Sequence, residues 1–185
     1  MSDRRLREVV LDATVFLVHE TGTRDLTLET IAAHADLDPA AVVAEFPTLE
    51  LLGVALVERI FQAFLEEIAA AVDDEEAPQA FTRGLVRAMR GQVERQTFPT
   101  VAAALIRSVP DRPLLREAVI RERTAILGAL MADGLDPADA LLVWSALDGL
   151  FLRSVLDIEH VDMEQRGRLF DRLEALVAAR SSMAG

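Results

Sequence analysis

The stretch Leu26-Thr27-Leu28-Glu29-Thr30-Ile31-Ala32-Ala33-His34-Ala35-Asp36-Leu37-Asp38-Pro39-Ala40-Ala41-Val42-Val43-Ala44-Glu45-Phe46-Pro47-Thr48-Leu49-Glu50-Leu51-Leu52 holds three helix starts in close succession. Thr27 is placed as an N-cap, with Leu26 and Ile31 at the two ends of a hydrophobic staple. Asp38-Pro39 is a second start, a capping carboxylate followed by the residue whose missing N–H is harmless at the first helical position. Thr48 is a third, with Glu50 against the positive end of the helix dipole. The spacing predicts a short helix from Thr27 to about Ala35, another ending near Phe46-Pro47, and a longer one beyond.

Upstream, Leu6, Val9, Val10, Ala13, Phe16 and Leu17 recur at helical spacing, so one amphipathic helix is expected over 3–21, stopped by Gly22. Downstream, Leu49, Leu52, Leu56, Ile60, Phe64 and Ile68 carry the fourth helix from Thr48 to about Val72. The acidic run Asp73-Asp74-Glu75-Glu76 reads as a solvated loop. Further helices are expected over 77–95, 98–108, 112–133, 137–158 and 163–180. Pro110 and Pro113, Gly134 with Asp136-Pro137, and a capping box of Asp162 and Gln165 punctuate them. No strand-like alternation and no internal repeat is present. The fold class is therefore all-α with about nine helices: a three-helix head with the layout of a helix-turn-helix, residues 1–52, and a helical body, residues 53–185.

Composition narrows the function classes. The chain has 185 residues, 51% of them hydrophobic, which is ample for a core without staples. It has no cysteine, and His19, His34 and His160 stand far apart, so no metal site and no cofactor is expected. Its apolar runs are broken well before the roughly 20 residues of a membrane span. The N-terminus lacks a signal-peptide pattern, which makes a soluble, cytoplasmic protein with no membrane partner the expectation. An enzyme is disfavoured by the absence of Cys, Tyr, any His–carboxylate motif and any glycine-rich phosphate loop. All 19 basic residues are arginine, against 31 acidic ones, for a net charge of −12. Such a balance argues against nucleic acid, whose phosphates the field of the whole chain repels.

The local residues argue the other way. Ala13-Thr14-Val15-Phe16, Gly22, Leu26-Thr27-Leu28-Glu29-Thr30-Ile31-Ala32, Ala35 and Phe46-Pro47-Thr48-Leu49-Glu50-Leu51-Leu52 resemble the N-terminal domain of the TetR family of transcriptional regulators. The resemblance covers residues 4–52; beyond it, only the helix layout and Asp148-Gly149-Leu150 match. Each residue also has a role of its own. Ala32 and Ala35 permit a close helix crossing, and Ile31, Leu37, Val42 and Phe46 suit a miniature core beneath it. Thr27 and Thr48 leave helix N-termini facing outward, where a phosphate is gripped.

Departures from the family pattern are informative. The family usually runs Gly-Val-Ser-x-Gly-x-Leu-Tyr-x-x-Phe through the turn and recognition helix, with a lysine just before the glutamate. Here Asp36, Leu37 and Asp38 open that segment, Val43 replaces the tyrosine, and Leu49 replaces the lysine. No arginine or lysine lies between Arg24 and Arg59, and residues 1–52 hold 4 arginines against 10 acids. The DNA contacts expected from the resemblance are Arg4, Arg5, Arg7, Arg24, Thr27, Ala40, Ala41, Val43, Ala44 and Thr48. Binding to double-stranded operator DNA is expected to be weak or salt-sensitive.

The resemblance further implies an effector site and dimerisation in the body. Helix 137–158 is apolar nearly all round, as a helix buried on two sides must be. Leu142, Ser145, Ala146, Gly149 and Arg153, with Leu169, Phe170, Leu173, Leu176 and Val177 of the last helix, suit a homodimer interface. Phe64, Phe81, Met89, Phe98, Leu105, Arg107, Met131, Trp144, Asp148 and Phe151 are the candidates for a pocket holding a small, largely apolar effector. Asp148, a carboxylate in an apolar stripe, needs a partner, for which Arg107 is one candidate. The resulting expectation is a ligand-responsive regulator, a repressor, acting on operator DNA as a homodimer. The acidic head keeps a second reading open, a TetR-like protein whose helix-turn-helix has weakened and serves as a ligand- or protein-binding module.

Overall fold

A computed structural model describes residues 3–74, 76–95, 100–158 and 161–181. Among these the regular elements are α1 (Asp3–Thr21), α2 (Leu28–His34), α3 (Pro39–Glu45), α4 (Leu49–Ala70), α5 (Ala80–Arg95), α6 (Thr100–Ser108), α7 (Pro113–Ala132), α8 (Pro137–Leu156) and α9 (Met163–Ser181). A single 3₁₀ turn, Val109–Asp111, follows α6. Most starts are those the capping residues mark. Thr27 and Thr30 form a reciprocal capping box, Asp38 and Asp136 each accept from the N–H two residues on, and Thr48 accepts from Leu51 N. Asp162 and Gln165 cap α9 reciprocally. The largest difference is at α5, which begins at Ala80 instead of 77.

The chain forms two compact units, Met1–Ile60 with Pro99–Arg121 and Phe61–Phe98 with Glu122–Gly185. Sequence patterning places the division after residue 52. The difference arises because Val101 and Ala104 of α6 are buried in the same core as Val10, Ile31, Val42, Phe46 and Leu52. Phe16, expected on the buried stripe of α1, is instead 51% exposed and stacks on His34, ring centroids 4.7 Å apart.

In this first unit the turn between α2 and α3 is a Schellman motif. Leu37 N bonds to Ala32 O at 2.9 Å and Asp36 N to Ala33 O at 3.4 Å, with Asp36 left-handed at φ +52°. Glycine is the usual residue in that conformation. Glu50 has a second task beside its own helix dipole: its Oε1 accepts from Leu114 N at 2.8 Å and Leu115 N at 3.4 Å, capping α7 from another helix.

The second unit packs Ile68, Leu85, Val86, Leu130, Val143, Leu147, Leu150, Phe170, Leu173 and Val177 into one core. Gly84 lets α5 approach the end of α4. A Cβ there would lie 2.6 Å from the Ile68 carbonyl oxygen. Arg90 reaches from α5 to Asp171 at 2.9 Å and Glu174 at 3.4 Å on α9, and lies 6.0 Å over the Phe170 ring. Hydrogen bonds to Glu94 first and Asp171 second hold its guanidinium well above the ordinary arginine range. Its contribution is therefore fully present at neutral pH and disappears only in extreme alkali. Among the described residues no single helix is long and apolar enough to cross a membrane.

Candidate functional site

The outward face of α3 is short and apolar. Ala40, Ala44 and Val43 are exposed, Val43 to 43%, while Ala41 is half-buried and Val42 faces the core. Exposed alanine and valine along a helix can touch thymine methyls in a major groove but carry no hydrogen-bond code. Asp38 sets its carboxylate at the helix start, tied to Ala40 N at 3.0 Å. Thr27 and Thr48 are exposed caps, as a phosphate-facing helix start requires.

The expected cations divide. Arg4, Arg5 and Arg24 are exposed and form no ion pair with a described residue. Arg7, also expected as a DNA contact, is engaged inside the head. It pairs with Glu45 at 3.3 Å and Glu58 at 3.7 Å and lies 5.2 Å over the Phe46 ring. The physical reason is its place one helical turn from Asp3 on the inward side of α1, facing the carboxylates that end α3 and line α4. Arg59 is likewise held, by Asp12 at 2.6 Å and Glu8 at 3.6 Å.

The expected effector residues are divided between the two units. Leu105 and Arg107 belong to the first unit, where Arg107 is exposed; the other described candidates belong to the second, and Phe98 lies outside the described residues. Met89 is a core residue at 7% exposure, and Met131 is exposed. What the second unit does assemble is a small polar seat. Asp148 Oδ1 lies 2.7 Å from Arg123 Nη2, and Arg123 stacks 5.0 Å from the Trp144 ring. That buried oxygen has no aligned hydrogen bond, so Arg123 holds it as an ion pair. Arg123, not Arg107, is the partner of Asp148. Arg123 belongs to no sequence motif, so no local signal marks it. Phe64, Phe81 and Phe151 are half-buried beside the same core.

The expected dimer residues also separate. Leu142 is 54% exposed and Ser145 is exposed, flanked by exposed Leu141 and Leu156, while Ala146, Gly149 and Arg153 are half-buried. A Cβ on Gly149 would meet nothing within 4 Å. Phe170, Leu173 and Val177 are corrected from a partner-facing to an inward-facing role. They are 1–3% exposed in the chain's own core, because the apolar stripe of α9 is needed to cover α5. Leu169 and Leu176 at the stripe's margin are half-buried.

A cavity of about 310 Å³, which no sequence pattern announces, lies wholly within the first unit. α1 contributes Thr14 and Val18, the following loop Arg24, α4 Glu50 and Gly53, α6 Leu105, and the entry to α7 Arg112 and Leu115.

Comparison with known proteins agrees with this architecture. The family model described as tetracyclin repressor-like, C-terminal domain, matches residues 79–178. The structure of the multidrug binding protein EbrR complexed with malachite green is 27% identical, with a TM-score of 0.69 over 90% of this chain and 96% of that one. EbrR complexed with ethidium gives 26% identity and a TM-score of 0.65, over 90% and 97%. A TetR-family member from Streptomyces coelicolor A3 is 28% identical, with a TM-score of 0.70 over 90% and 96%. No curated protein matches the chain. With more than half its length matched by the family model and the helical architecture shared, the chain belongs to the TetR family of transcriptional regulators.

Proposed function

We propose that the protein is a ligand-responsive repressor that binds operator DNA as a homodimer, reading DNA through residues 1–52 and binding effector and partner through residues 53–185. The observation that carries this reading is the intact helix-turn-helix, with both short helices capped and α3 presenting Ala40, Val43 and Ala44 outward. Arg4, Arg5 and Arg24 supply the phosphate contacts, with the starts of α2 at Thr27 and α4 at Thr48 as further anchors. The stripe of Leu142, Ser145 and Gly149 on α8, exposed at its first two positions, supports the dimer face, since small residues let two such helices approach. The half-buried Trp144, Phe151 and Phe64 of the second unit, with the Asp148–Arg123 pair beside Trp144, support a small, largely apolar effector there. The relatives solved with malachite green and ethidium favour the same class.

A second reading, in which the head has lost DNA and serves as a protein- or ligand-binding module, is favoured by one observation. α3 carries no cation and Arg7 is tied within the head. Fluorescence anisotropy with duplexes from the region flanking the protein's own gene decides between the two. Saturable, sequence-dependent binding that weakens steeply above about 50 mM salt supports the repressor. Its absence at that salt supports the module. Quenching of Trp144, the sole tryptophan, reports effector binding in the second unit.

A further inference from the structure

The cavity of the first unit shares only Leu105 with the expected effector residues. Its apolar lining includes Val18, Leu56 and Leu105. Of the three hydroxyls that border it, two are satisfied within their own helices, Thr14 donating to Val10 O at 2.7 Å and Ser108 to Ala104 O at 2.9 Å, and the third, Thr23, lies in the exposed loop after α1. The one carboxylate in the lining, Glu50, is engaged by two N–H groups of α7. Against this background stand Arg24 and Arg112, both exposed and neither in an ion pair with a described residue. The unit around them holds 9 arginines and 13 acids, so two guanidinium groups left without a carboxylate at one cavity run against its charge balance.

We propose that this cavity is a binding site for a small amphiphilic anion, a carboxylate with a short apolar tail. The tail lies among Val18, Leu56 and Leu105, and the carboxylate is held by Arg24 and Arg112. About 310 Å³ is at the low end of the roughly 300–1,000 Å³ of small-molecule pockets, which suits a medium-chain acid and excludes a large ligand. Arginine is the side chain suited to it, because its planar fork matches a carboxylate bidentately. The site goes beyond the effector seat of the second unit; it shares Arg24 with the phosphate contacts proposed above, so its test is run without DNA.

The test is isothermal titration of octanoate and, as the neutral isostere, octanamide into the full chain. Octanoate is expected to bind saturably and at least about tenfold more tightly than the amide. Replacing Arg24→Gln and Arg112→Gln together alters only exposed side chains, and is expected to bring octanoate down to the affinity of the amide while leaving the amide unchanged. A Gly53→Val variant is expected to weaken both ligands alike. Its Cβ meets Leu105 and Leu115 at an ordinary 3.5 Å, and its methyls take up cavity volume. No saturable octanoate binding overturns the proposal, as does binding that the double arginine variant leaves intact. The double variant remains decisive even if Gly53→Val fails to fold.

Discussion

Asp133, just past the end of α7, accepts two hydrogen bonds from Thr82 in the first turn of α5, from its backbone N at 2.8 Å and its hydroxyl at 2.6 Å. Thr82 is fully buried, so neither donor has water as an alternative. An N-cap is normally local; here a residue 51 positions away supplies it. Asp133→Ala is expected to cost about 2–3 kcal/mol, because it strands both donors. Thr82→Val, which removes only the hydroxyl, is expected to cost about 1 kcal/mol. A urea titration reads both as a lower midpoint at unchanged slope. Equal effects from the two variants would show that the backbone bond contributes nothing.

Glu50 does the same for α7. Its removal in Glu50→Ala leaves the N–H groups of Leu114 and Leu115 without their acceptor, for an expected loss of about 1–2 kcal/mol. Glu50→Gln keeps a carbonyl oxygen in place and is expected to retain part of that stability. Thermal melting of the three proteins gives the order wild type, Gln, Ala; a Gln variant as unstable as Ala would assign the effect to charge alone.

Asp36 occupies a left-handed position that favours glycine, and adds a negative charge to the head. Asp36→Gly is expected to stabilise the protein by roughly 0.5–1 kcal/mol, and the melting temperature is the readout. A lower melting temperature would mean that the aspartate side chain makes a compensating local contact.

Gly84→Ala tests the opposite case. Helix propensity alone predicts a gain of about 1 kcal/mol, but the new methyl meets the Ile68 carbonyl at 2.6 Å and Val72 Cγ2 at 2.8 Å. Since backbone is the harder of these to move, a net loss of about 1–3 kcal/mol is expected in chemical denaturation. A net gain would show that α5 slides away from α4 at little cost.

The arginines of α1 are expected to part company. Arg4→Ala with Arg5→Ala should reduce the slope of log affinity against log salt for operator DNA by about 2 while leaving the melting temperature unchanged. Arg7→Ala should lower the melting temperature and leave that slope nearly intact, because its charge is neutralised by Glu45 and Glu58. An unchanged melting temperature for Arg7→Ala would return it to the set of DNA contacts.

The helices are legible in sequence because their starts are written locally. Thr27, Asp38, Thr48, Asp136 and Asp162 each cap the helix that their position marks. Where a start is capped from afar, sequence patterning falters. The pattern puts the start of α5 three residues early, because its cap is Asp133 and nothing near residue 80 announces it. Side-chain roles are legible where one helix decides them and lost where two do. Val42 and Phe46 are core residues, as spacing alone indicates. Phe170, Leu173 and Val177 form an apolar stripe whether it faces a partner or α5, and periodicity does not tell these apart. Arg7, Arg123 and the cavity beside Arg24 all depend on which helices become neighbours, and no local pattern records that.

The clamp of Arg7 on Glu45 and Glu58 bears on how regulation and recognition divide. It fastens the end of the reading helix to α4 inside one unit, over the buried Phe46 ring. The face offered to a base pair is therefore set before any effector arrives. On the proposed repressor reading, ligand alters how tightly the protein holds DNA and leaves the preferred sequence the same in both states. A selection for operator sequences run with and without effector should return one consensus, differing only in yield.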